Sequence, residues 1–184
     1  STIQLIIRKK HIQRQLRRRL HAFQASKRKQ AILFCRLLVD EQRFELLTDR
    51  LVQEPKYYLR LRIAAILLES NWEEKQATSI VKAIIEAFRA APDFYKTRII
   101  ALLNTRADLV AKWGASIPKL PEETWDRIVL IQGVAALPSK QAHRIILDAI
   151  DSTYAELSDA GLQIAKQWFK DILKTARLQN HFSP

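Results

Sequence analysis

Prolines set the limits on what this chain can fold into. Five of its six, Pro55, Pro92, Pro118, Pro121 and Pro138, fall where a helical spacing of apolar residues stops and starts again. A proline ring lacks the N–H of the helix ladder and crowds the preceding turn, so it ends a helix or occupies its first turn. Between these points apolar residues recur every three or four positions, as in Leu59, Ile63, Ile66 and Leu67, in Ile80, Ile84, Ala87 and Phe88, and in Ile145, Ile146, Ala149 and Ile150. That is the period of a helix with one buried face. No segment sustains the polar and apolar alternation of a strand. Start signals sit beside the breaks: Pro92-Asp93, Pro121-Glu122-Glu123 and Pro138-Ser139, with Asn71-Trp72-Glu73-Glu74 and Ser158-Asp159 doing the same without proline. The spacing predicts an all-α chain with helices over 3–24, 27–39, 41–53, 56–70, 73–90, 93–104, 106–115, 122–136, 139–151 and 158–177.

At 184 residues, with 48% apolar residues and only three glycines, the chain is long enough and apolar enough to bury one sizeable core. Its single cysteine, Cys35, lies in the apolar run Ile32-Leu33-Phe34-Cys35 and reads as a small core residue in a reducing compartment. No stretch approaches the ~20 apolar residues of a membrane span, and nothing matches a signal peptide, so the expectation is a soluble, cytoplasmic chain. The start at Ser1-Thr2 and the lack of methionine leave open both processing and excision from something longer.

Three segments align with one another: 59–68, led by Arg62, then 96–103, led by Arg98, then 126–131, led by Arg127, with a fainter copy from Gln30. Each is followed by a second amphipathic segment, so the unit is a helix pair that must stack on neighbours to bury its apolar face. The stretch Leu61-Arg62-Ile63-Ala64-Ala65-Ile66-Leu67-Leu68 resembles the arginine and paired-alanine signature of HEAT repeats, and the likeness extends over residues 27–151. The resemblance implies a short right-handed α-solenoid of antiparallel helix pairs, here assigned to 27–184, that acts as a binding scaffold without a catalytic residue. Aromatic and basic residues interleave where two of the repeats begin, making Tyr58, Arg62, Tyr95, Arg98 and Arg127 candidates for a concave groove. Each arginine has a second reading, as a structural bond to an acid or helix end of the adjacent repeat.

Charge is concentrated ahead of the repeats. Ten of the 31 lysines and arginines fall within the first 30 residues, where there is no acid; the rest of the chain sets 21 cations against 19 acids. Residues 1–26 therefore read as a basic amphipathic arm. Its apolar stripe is Ile12, Leu16, Leu20 and Phe23, and the run Ile3 to Ile7 is apolar all round, like the remnant of a membrane anchor or a segment that enters a partner's groove. Arg8, Lys9, Lys10, Arg14, Arg17, Arg18, Lys27, Arg28 and Lys29 are the candidate contacts to an anionic partner. Three outcomes stay open for them: a solvated face, docking on an anionic membrane or a protein, and phosphate contacts to nucleic acid.

The four histidines are dispersed and no Cys-x-x-Cys or His-x-x-x-His spacing exists, so no metal or cofactor is expected. The acid pairs Asp40-Glu41, Glu73-Glu74 and Glu122-Glu123 point about 100° apart on a helix and suit its positive end better than paired acid-base work. Alkylpurine DNA glycosylases combine HEAT-like repeats with a basic surface and use tryptophans and an aspartate. Trp125-Asp126 offers both residue types, but side by side they face different directions and map no site. The sequence thus points to a non-catalytic scaffold for protein–protein interaction, held at a cytosolic membrane face by its basic helix; the alternative is a nucleic-acid-binding repeat protein using the same arm.

Overall fold

The computed structural model describes residues 2–181, with side chains over 11–138 and 140–168 and at 170. All the secondary structure among the described residues is helical: α1 (Thr2–Leu20), α2 (Ala25–Cys35), α3 (Asp40–Gln53), α4 (Tyr57–Leu68), α5 (Glu74–Phe88), α6 (Asp93–Asn104), α7 (Ala107–Ser116), α8 (Thr124–Ile131), a 3₁₀ turn (Val134–Ala136), α9 (Ser139–Ile150) and α10 (Ala155–His181). Pro55, Pro92, Pro118, Pro121 and Pro138 all lie in connections. Asp40, Glu41, Glu74 and Asp93 sit in first turns. The caps of α3, α5 and α8 make no side-chain hydrogen bond, and acids in a first turn favour the positive end of the helix dipole; Asp40 in addition accepts from the Ser70 hydroxyl at 2.8 Å. The backbone divides into two compact units, residues 1–102 and 103–184.

In the first unit, α1 packs on α2, α3 on both α4 and α5, and α2 on α3 and α4. The core holds Leu20, Ile32, Leu47, Leu51, Leu59, Ile63, Leu67, Ile80, Ile84, Phe88 and Ile99, all fully buried. Each such aliphatic or aromatic side chain contributes about 1.5–3 kcal/mol by leaving water. The helices differ in kind. α5 buries Ala77, Ile80, Val81, Ile84, Ala87 and Phe88 on one side and is polar on the other. α2 and α4 carry apolar residues on both sides: α2 buries Ala31, Ile32 and Cys35 yet exposes Leu33 and Phe34, and α4 buries Leu59, Ile63 and Leu67 yet exposes Tyr58 and half-exposes Leu61. An apolar outer face gains nothing from solvent.

Two sequence expectations are corrected. α1 ends at Leu20 rather than continuing to 24, so the arm's stripe is cut short: Leu16 and Leu20 are buried, Ile12 is exposed, and Phe23, in the turn that follows, is fully exposed. The helix expected over 122–136 is interrupted after Ile131. A Cβ on Gly133 would lie 2.7 Å from the Ala111 backbone nitrogen and 2.8 Å from Val110, so the chain bends there at a close approach to α7 that only glycine allows.

In the second unit α10 lies along α9 and α8, and the 3₁₀ turn packs on α7 and α9. Leu109, Val110, Val129, Ile131 and Ala142 are fully buried there.

Candidate functional site

Two arginines two residues apart on α4 define the site by facing opposite ways. A helix turns 100° per residue, so Arg60 and Arg62 diverge by about 160°. Arg60 points inward to carbonyls at helix ends, donating to Glu54 and Val52 of the α3 terminus and to Ala87 of α5, and it lies over the Tyr57 ring at 4.9 Å. Arg62 points outward and makes no hydrogen bond or ion pair among the described residues.

Arg62 opens onto a groove of about 770 Å³ built by α2, α4 and α6 within the first unit. Its apolar lining is Leu33 from α2, Tyr58, Leu61, Ala65 and Ile66 from α4, and Phe94, Tyr95, Ala101 and Leu102 from α6; its charges are Arg36, Arg62, Arg98 and Glu69. Stacked rings hold the α6 side in place: Tyr57 lies 6.4 Å from Phe88 and 5.4 Å from Tyr95, and Tyr95 meets Phe94 edge-on at 5.2 Å. The Tyr57 hydroxyl donates to Ala90 O at 3.0 Å. Arg98 rests over the Phe94 ring at 4.4 Å, a cation–π contact that orients the guanidinium without neutralising it. Arg36 is held by Glu69 through Nε–Oε2 at 3.0 Å and Nη2–Oε1 at 2.6 Å. The groove thus has an apolar floor, one internally neutralised pair and two unneutralised guanidiniums.

A second arginine cluster in the first unit is buried. Arg28 gives Glu54 two hydrogen bonds of 2.9 Å, Arg50 adds one of 2.6 Å, and the Lys56 backbone N–H adds one of 3.1 Å. Burial pushes the Glu54 carboxyl up, but these donors together outweigh it and leave its pKa below the ordinary value. Arg28 Nη1 also holds the carbonyls of Ala22 at 2.9 Å and Phe23 at 2.7 Å. Nearby, Cys35 is buried, and burial pushes its thiol up to about 11 with Arg43 pulling weakly the other way. It remains a protonated thiol at neutral pH.

Of the groove residues expected from sequence, Tyr58, Arg62, Tyr95 and Arg98 come together in one place. Arg127 does not: it lies in the second unit, half-buried, with Nε donating to Pro121 O at 2.7 Å and Nη1 at 3.5 Å from Asp148. Both are structural bonds, one to the connection before its own helix and one to an acid of α9. Sequence reasoning missed Arg36, Leu33 and Glu69; the outward apolar pair Leu33 and Phe34 on an already buried helix was the available signal for the α2 side. Among the arm residues, Arg28 is a correction, because Glu54 draws it into the core, where only 4% of it meets solvent. Arg14, Arg17, Arg18, Lys27 and Lys29 are exposed, with Arg17 bound to Glu45 at 3.1 Å. The side chains of Arg8, Lys9 and Lys10, and of the run Ile3 to Ile7, lie outside the described residues. Trp125 is buried.

Among the described residues, no group of three or more histidine, cysteine or carboxylate side chains is placed to hold a metal ion, and no helix is long and apolar enough to cross a membrane. No protein-family model, curated protein or solved structure matches the chain.

Proposed function

We propose that this chain is a non-catalytic helical-repeat scaffold whose α2–α4–α6 groove binds an acidic, apolar helical segment of a partner protein. The observation that carries the reading is the pair Arg62 and Arg98, exposed over an apolar floor with no carboxylate on either. A guanidinium left this way recognises a carboxylate through a planar fork of donors, worth about 1.5–3 kcal/mol per charged hydrogen bond once water is excluded. An amphipathic helix supplies both needs, with leucines or aromatics for the floor and acids one turn apart for the arginines. Nucleic acid is the weaker reading, since the arm loses Arg28 to the core and the groove contains Glu69.

The fold-level part of the proposal is a short right-handed α-solenoid of HEAT-like pairs. It is supported by the packing of α3 on α5 and of α2 on α4, since alternate helices meet when antiparallel pairs stack in two layers. The groove then belongs to α2, α4 and α6, which present apolar residues on their outer faces.

Selection of helical peptides from a phage-displayed random library on the immobilised chain tests this. Enriched peptides should place Asp or Glu beside Leu or Phe, lose at least about tenfold in affinity toward the R62E/R98E variant, and regain it when their acids are changed to lysine. Peptides that bind the wild type and R62E/R98E equally overturn the reading.

A further inference from the structure

The turn between α1 and α2 presents a phenylalanine entirely to solvent: Phe23 is 101% exposed. A ring on a loose loop would call for no explanation. This turn is fastened. His21 N donates to Arg18 O at 3.3 Å and Ala22 N to Arg19 O at 3.1 Å, while Arg28 grips the carbonyls of Ala22 and Phe23 from below and is itself anchored to buried Glu54. The backbone of the turn is therefore anchored to a buried charge cluster while the ring lies in solvent, forgoing the burial that a phenylalanine normally contributes to folding.

Its surroundings are cationic. Arg18 and Arg19 precede the turn and Lys27 follows it, all exposed, and none of these side chains makes a hydrogen bond or ion pair among the described residues. No acid occurs before Asp40. The acids nearest to α1 are on α3: Glu45 and Asp49 line a hollow with Arg17, Leu20 and His21, and Glu45 is bound to Arg17. Arg18 projects on the side of α1 opposite the buried pair Leu16 and Leu20, whereas Arg17 lies on the flank facing α3. Glu54, beneath the turn, is neutralised by Arg28 and Arg50.

We propose that the α1–α2 turn is a membrane-contact site, in which Phe23 enters the interfacial layer of an anionic lipid bilayer while Arg18, Arg19 and Lys27 meet the headgroup phosphates. A bilayer fits this chemistry because it accepts an isolated ring beside cations without a complementary pocket. A lone ring is far smaller than the roughly 800 Å² per side of a stable protein interface. A nucleic-acid strand needs a basic groove to follow, and the hollow beside the turn carries Glu45 and Asp49, which repel its phosphates.

The full chain is tested by flotation with vesicles of phosphatidylcholine alone and with about one-third phosphatidylserine. The expected result is binding to the anionic vesicles only, reduced about tenfold in Phe23→Ala and further in R18E/R19E/K27E, with Phe23→Ala keeping the wild-type melting temperature because the ring touches nothing. A Phe23→Trp variant should gain a blue-shifted component in its emission on anionic vesicles. Failure to float, equal binding to neutral vesicles, wild-type binding by Phe23→Ala, or retention on a mixed-sequence RNA hairpin in place of vesicles overturns the proposal. R62E/R98E should float like the wild type, so that failure of the groove reading and failure of this one are told apart.

Discussion

Two arginine clusters in the first unit, one buried and one open, are made of the same residue type and do opposite things. Arg28 and Arg50 surround Glu54 in the core, where every oxygen of the carboxylate is hydrogen-bonded. Arg36, Arg62 and Arg98 face a groove with one carboxylate, Glu69, which is bonded to Arg36. Taking a charge out of water costs several kcal/mol, against which the first cluster sets four hydrogen bonds to Glu54. In the second, Arg62 and Arg98 keep their water and their capacity to bond something else. The lesson is that an arginine's availability is set by the carboxylate the fold brings to it.

The contrast can be broken most severely at Glu54. Glu54→Ala leaves two guanidiniums buried without a counter-charge and should destabilise the chain by about 3–5 kcal/mol, measured by urea unfolding. A loss below about 1 kcal/mol would show that the cluster is not the closed pair described. Acid is the next lever. Because the folded pKa of Glu54 lies below its ordinary value, the stability it contributes is complete above the unfolded pKa of roughly 4.3 and is lost as pH falls through the lowered folded value. The urea midpoints of wild type and Glu54→Gln should therefore differ at neutral pH and converge in acid; a constant gap refutes this assignment. The smallest effect on folding belongs to the open cluster. The R62A/R98A variant should unfold within about 0.5 kcal/mol of the wild type while losing affinity for groove-binding peptides, and a large drop in stability would mean these arginines hold the fold together.

Much of the groove was legible beforehand. Tyr58, Arg62, Tyr95 and Arg98 were grouped by their place at the head of a recurring helical segment, and they meet because α4 and α6 line the same groove. Arg127 shares the sequence position but not the fate, since Pro121 and Asp148 take up its guanidinium. Arg28 was placed with its neighbours Lys27 and Lys29 as a surface cation, and the reason it is not one lies 26 residues away at Glu54. Phe23 fitted the α1 stripe by spacing alone. The helix ends three residues earlier, and the turn that follows, its carbonyls held by the same Arg28 that left the surface, leaves the Phe23 ring in solvent.

What the amino-acid sequence determined by itself was local: helices from a 3.6-residue period, their ends from proline, an arm rich in positive charge, and a core cysteine. These follow from interactions among residues within a turn or two of one another. What only the tertiary structure decided was which charges are neutralised and which apolar faces stay uncovered. Glu54 reaches Arg28, Arg60 reaches Ala87 and Glu69 reaches Arg36 across separations of about thirty residues. Burial and electrostatic pairing depend on distance through space, which the order of residues along the chain does not set.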